Sequence, residues 1–176
     1  MRIISKVVRK IRGGYTNEEM QLHLRHLGVS IGEDCDIYST AEFGSEPYLV
    51  KLGNHVRVNH HVRFITHDGG VWVLRKYLGN QNIDLFGAII VGNNVHIGTG
   101  ATIMPGVVIG DNCIIGCDAV VTKSIPNNSI AAGVPARVIE SVDEYVKKHE
   151  HDFDCTIRKN GYSEEEKRKY LLDRYL

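Results

Sequence analysis

Nine histidines, four cysteines and one tryptophan are the side chains here with the readiest chemistry. His67 stands out among them. It lies in "FITHDGG", where a run of strand-forming residues gives way to two glycines and a long irregular stretch. A histidine at the rim of such a break can act as a general base, taking a proton from a hydroxyl or an amine as that group attacks. The base needs an orienting partner, and Asp68 beside it or Glu46 upstream could hold the ring or bind an acceptor hydroxyl. His55, His60, His61 and His96 raise a metal site instead. Residues 60 and 61 are adjacent in a strand, so they point to opposite faces and do not join one regular site. Cys35, Cys113, Cys117 and Cys155 lack paired metal-ligand spacing; Cys113 and Cys117 suit small core positions better than a nucleophile pair.

These residues must be held by something, and the holding element is readable by counting in sixes. Val91, Ile97, Ile103, Ile109, Ile115 and Val121 recur at one spacing, with Gly92, Gly98, Gly110 and Gly116 following four of them. The fifth place of each unit is Val95, Ala101, Val107, Cys113 or Ala119. Period two would mean a strand and 3.6 a helix. Six means a repeat in which each unit supplies one short strand and one turn, stacked as a solenoid around a narrow aliphatic core. The period begins faintly at Ile31 and Ile37, slips across "GSEPYL", and resumes at Leu52, Val58 and Phe64. It fails from His67 to about Ala88, which predicts a loop leaving the coil and carrying Trp72, Tyr77 and Phe86 as an acceptor wall or a subunit anchor. Pro126 and Pro135 are expected to end regular pairing.

The sextets resemble the hexapeptide repeat of the left-handed β-helix acyltransferases, and the sugar O-acetyltransferases of the maltose and galactoside type most of all. The fold expected is therefore an all-β solenoid, a left-handed parallel β-helix over residues 29–140. An N-terminal helical segment at 1–28, the loop at about 67–88 and a helical extension at 141–176 accompany it. The handedness is implied by the resemblance alone, since parallel crossovers are otherwise almost always right-handed.

The resemblance also implies roles. His67 matches the family's catalytic base in position and setting, serving direct transfer from acetyl-CoA in a ternary complex, with no metal. A backbone amide near Gly98 and Thr99 would stabilise the oxyanion, and His96 would hold a corner position lining the acyl tunnel. The stretch "GCDAVVTKSIPNNSIAAGVPARVI" resembles the coenzyme A-binding last coil. Carried over by position, Cys117 faces pantetheine, while Thr122, Lys123 and Arg137 lie toward the nucleotide end and Pro135 caps the adenine. Lys and Arg suit pyrophosphate and a 3′-phosphate. An asparagine that the galactoside and maltose enzymes place upstream is missing, and Ser39 or Thr40 stands roughly in its place. Family members are homotrimers with active sites between subunits, so the same is expected here.

Alternatives remain at this level. The acceptor could be an amino sugar, serine or an antibiotic; γ-class carbonic anhydrases bind zinc through histidines on this fold; a non-catalytic scaffold would keep the helix without the chemistry. Lys and Arg total 21 and Asp and Glu 21, so no global field draws in nucleic acid. No apolar run approaches the ~18 residues of a membrane span. Ile3, Ile4, Val7, Val8 and Ile11, with Arg2, Lys6, Arg9, Lys10 and Arg12 around them, suit a short helix packed on the first coil or resting on an anionic membrane surface. Read without a leader peptide, the thiols are expected reduced and the protein cytoplasmic or peripheral at the inner membrane face.

Overall fold

The computed structural model describes residues 14–176; the basic segment expected to be helical at residues 1–12 lies outside them. The chain divides into two compact units, 1–143 and 144–176.

Helix α1, Asn17–His26, starts where Thr16 accepts from the Glu19 amide and the Glu19 carboxylate accepts from the Thr16 amide, a reciprocal cap that satisfies two orphan donors. Short strands follow, and the chain lays them on three faces in rotation. The first face is β1 Ser30–Ile31, β3 Val50–Leu52, β6 Ile89–Val91 and β9 Val108–Ile109. On the second lie β2 Asp36–Ile37, β4 Val56–Val58, β7 Val95–Ile97, β10 Cys113–Ile115, β12 Ser129–Gly133 and β13 Ala136–Ser141. The third has β5 Arg63–Phe64, β8 Thr102–Ile103 and β11 Val120–Val121. Every pairing is parallel except the final β12–β13 hairpin.

Register turns the six-count into a core. Leu52, Val91 and Ile109 stack on the first face, Val58, Ile97 and Ile115 on the second, and Phe64, Ile103 and Val121 on the third. None is more than 3% exposed, and each such burial contributes about 1.5–3 kcal/mol. The small fifth-place residues Val95, Ala101, Val107, Cys113 and Ala119 are buried beside them.

The corner between the first two faces is held by side chains. Oδ1 of Asn54, Asn93, Asp111 and Asn127 each accepts a backbone N–H from the coil before, at 2.6–2.9 Å. The next residues, His55, Asn94, Asn112 and Asn128, have φ of 54–58°, left-handed backbone that Asn and His tolerate better than most. Asn94 donates to Asn112 and Asn112 to Asn128, forming a ladder that climbs coil by coil.

Two departures from regularity matter. Corner partners Asn93 and Asp111 stand 18 residues apart and Asp111 and Asn127 stand 16 apart, but equivalent residues of the first two coils stand 21 apart. The three extra residues form a bulge around Gly44 and Glu46, followed by a 3₁₀ turn at Pro47–Leu49. Between the second and third coils the separation is 39. That excess is the expected loop, and it encloses a helix that the period did not announce, α2 at Val71–Tyr77.

One expectation needs correction. Pro126 and Pro135 do not end the pairing: β12 continues parallel on β10, and β13 returns antiparallel through Ser141. Pro135 lies in the connection between β12 and β13, where no ladder N–H is required.

Helix α3, Val142–His149, spans the boundary between the units. The C-terminal unit adds α4, Thr156–Asn160, and α5, Glu164–Tyr175, the latter capped by Ser163 and Glu166. Within it Tyr170 donates to Asp154 at 2.8 Å. Among the described residues no helix is long and apolar enough to cross a membrane.

Candidate active site

β5 ends at Phe64, and two residues later the chain leaves the prism. The loop is drawn together at its neck. His67 bridges Phe86 in antiparallel fashion, the Asp68 amide donates to Leu85 O at 2.9 Å, and the Gly87 amide donates to Thr66 O at 2.9 Å. Inside the loop, Arg75 donates to Ile83 O at 3.1 Å and pairs with Asp84. The result is a fixed wall over the end of β5.

Glu46 arrives from the opposite side, on the bulge of the first coil. One of its oxygens, Oε2, accepts from Thr66 Oγ1 at 2.7 Å and lies 3.0 Å from His67 Nδ1. The Glu46 side chain is 16% exposed and that of His67 43%. The Thr66 hydroxyl foremost, then the His67 ring, hold the Glu46 carboxyl below its ordinary range, against an opposing effect of burial. With Nδ1 engaged by a carboxylate, Nε2 is the ring nitrogen that can take a proton. These residues open on a cavity of about 270 Å³ whose walls include Asp68, Trp72, Arg75, Asp84 and Phe86. Phe86 meets the imidazole edge-on, centroids 6.3 Å apart, and Trp72 is 75% exposed.

The two carboxylates offered by sequence thus separate. Glu46 meets His67, whereas Asp68 turns back to accept the Gly70 amide at 2.8 Å. Thr66, Arg75 and Asp84 went unrecognised in the sequence. A threonine in "RFIT" reads as an ordinary strand former, and only its burial beside Glu46 marks it.

The remaining residues lie higher on the prism. Register places Thr66 and Lys123 at equivalent points of one edge, two coils apart, each two residues beyond a stacked partner, Phe64 and Val121. That is roughly 10 Å at the usual strand spacing. Thr99, Cys117, Thr122, Lys123, Pro135 and Arg137 are all exposed. Gly98 is not: its amide donates to Ile115 O at 2.8 Å, and a Cβ there would meet Cys117 N at 2.6 Å. Its N–H is spent in the ladder. His96 sits mid-strand in β7 rather than at a corner, with Asn59 Nδ2 3.2 Å from its Nε2. Buried Cys113 has its thiol pushed up by desolvation and donates to Pro126 O. Two of the other histidines raised for a metal site are engaged elsewhere, His55 with Asn94 and His60 with Thr40. No group of three or more His, Cys, Asp or Glu suited to a metal occurs among the described residues.

Known proteins carry the same pattern. The bacterial transferase hexapeptide family (six repeats) matches residues 88–123. Protein CapG of Staphylococcus aureus is 46% identical over 154 residues, 86% of this chain and 87% of that one. Galactoside O-acetyltransferase of Escherichia coli (strain K12) is 52% identical over 61 residues, 35% of this chain and 30% of that enzyme. Among solved structures, a galactoside acetyltransferase in complex with coenzyme A matches with a TM-score of 0.57 and 27% identity, over 83% of this chain and 82% of the other. With its stacked sextets and its likeness to CapG over most of both chains, this protein belongs to the bacterial hexapeptide-repeat transferases.

Proposed function

We propose that this transferase is an acetyl-CoA-dependent O-acetyltransferase acting on a hydroxyl of a sugar or surface-polysaccharide precursor, on the left-handed coil that its family implies. The observation that carries the reading is the Glu46–His67 pair, 3.0 Å apart at the mouth of a walled cavity. Acetyl-CoA supplies the acetyl group as an activated thioester. Neutral His67 takes the proton from the acceptor hydroxyl through Nε2 as that oxygen bonds to the thioester carbonyl carbon, and returns it to the departing sulfur. Glu46 holds the ring and balances the imidazolium. Trp72 and Phe86 offer apolar faces to a sugar ring, and Asp68 offers a carboxylate to its hydroxyls.

Lys123 and Arg137 would hold the phosphates of coenzyme A, Thr122 would support them, and Pro135 would lie against the adenine. Thr99 and Cys117 would flank the pantetheine arm. The fit rests on their exposure and on the place of Lys123 two coils above Thr66. A homotrimer with the site between subunits completes the reading.

Calorimetric titration of the purified protein with acetyl-CoA tests it. Saturable binding at about one site per chain is expected, weakened by Lys123→Ala. His67→Ala is expected to keep that binding while lowering turnover on a sugar acceptor about 10²- to 10⁴-fold. Absence of binding at millimolar acetyl-CoA overturns the donor assignment, and full activity of His67→Ala overturns the base.

A further inference from the structure

Thr66 precedes the candidate base by one residue, and both side chains converge on Glu46 Oε2. Thr66 is 0% exposed, whereas the His67 ring looks into the cavity. At the equivalent points of the two coils above stand Pro105 and Lys123, so the repeat does not call for a buried hydroxyl here. The requirement comes from the bulge. Gly44 turns with φ 65°, and a Cβ on it would meet Thr66 Oγ1 at 2.8 Å and Phe64 O at 2.9 Å. The three-residue insertion and this missing Cβ let the first coil close down on Thr66, and the residue delivered there is Glu46.

We propose that Thr66 is a positioning residue for the acyl transfer, its buried hydroxyl holding Glu46 as an acceptor so that His67 carries its proton on Nδ1 and presents Nε2 to the acceptor. The inference rests on His67 being the base. Thr66 Oγ1 donates to the same carboxylate oxygen that His67 Nδ1 faces at 3.0 Å. An ionised carboxylate accepts only, so the nitrogen facing it must bear the hydrogen. A protonated Glu46 can instead donate to Nδ1, which moves the ring hydrogen to Nε2 and removes the lone pair from the cavity. The Thr66 hydroxyl is also the largest influence keeping that carboxyl acidic.

The test compares Thr66→Val, which keeps the shape and loses the donor, with Thr66→Ser, which keeps the donor. In the wild type, nitrogen NMR of ¹⁵N-histidine-labelled protein should show neutral His67 as the Nδ1–H tautomer. Thr66→Val should mix the tautomers, lower kcat roughly tenfold to a hundredfold, the scale of a hydrogen bond to a charged group, and leave KM for acetyl-CoA within about twofold. It should also move the acidic limb of the kcat pH profile upward, because Glu46 then protonates at higher pH. Thr66→Ser should restore tautomer, rate and profile. A Thr66→Val enzyme with wild-type tautomer, rate and profile overturns the proposal while the reading of His67 stands; an active His67→Ala enzyme overturns that reading instead. Should Thr66→Val fail to fold, a wild-type His67 found as the Nε2–H tautomer still refutes the proposal, and an Nδ1–H tautomer with wild-type behaviour of Thr66→Ser upholds it.

Discussion

Glu46 is both an ionisable group and a strut, which makes its charge measurable as stability. Its carboxyl is held below the ordinary range by Thr66 first and His67 next. A carboxyl whose folded pKa lies below its unfolded value adds stability that is complete above the unfolded value and is lost as pH falls through the folded one. The melting temperature of the wild type should therefore exceed that of Glu46→Gln at neutral pH, and the gap should shrink on acidification through the carboxylate range. A gap independent of pH would show that the charge of Glu46 contributes nothing to the fold. At this scale the sequence was partly legible. His67 is marked by its place where the six-count fails, but Glu46 and Asp68 were equivalent on paper. What separates them is a three-residue excess in the first coil and an Asx turn that occupies Asp68 with Gly70, and neither follows from residue type.

Each coil is a repeating element, and its period was read directly because one aliphatic per face is a demand of the narrow core. Ile103 stacks between Phe64 and Val121 with 0% exposure. Ile103→Ala should lower the unfolding free energy by about 2–5 kcal/mol, read from denaturant titration. A loss under about 1 kcal/mol would mean that the coils relax into the gap. The corner residues were legible only as polar turn positions. Their ladder is a property of the stack, since Asn94, Asn112 and Asn128 gain partners only when three coils align. Helix α2 was hidden for a different reason: "VWVLRKY" has no apolar period of its own and is fixed by the neck at His67 and Phe86. The close approach of Gly98 to Cys117 of the next coil was not legible, because only the stack brings the two together.

The stack as a whole has two ends and three faces. Helix α1 covers the first coil: Asn17 and Gln21 donate to Cys35 O, Arg25 donates to Ile31 O, and Met20 and Leu24 are buried. Such a cover blocks the exposed strand edge from pairing with another chain. Apolar side chains remain exposed on the loop at Trp72, Tyr77, Leu85 and Phe86, and on the first face at Ile90 and Val108. On the homotrimer proposed above, light scattering on the purified protein should give a mass of three chains, and a monomer at micromolar concentration would remove the shared-site arrangement. The regular 18-residue step carries one more consequence. Because the ladders repeat from coil to coil, the stack can lengthen or shorten only by whole coils, and Thr66, beside His67, and Lys123 are held apart by a whole number of them. The solenoid is therefore a ruler graduated in strand spacings of about 4.8 Å. Inserting one coil between β8 and β9 would move Lys123, the proposed phosphate contact, one graduation away from His67, the proposed base, out of register with a donor arm of fixed length.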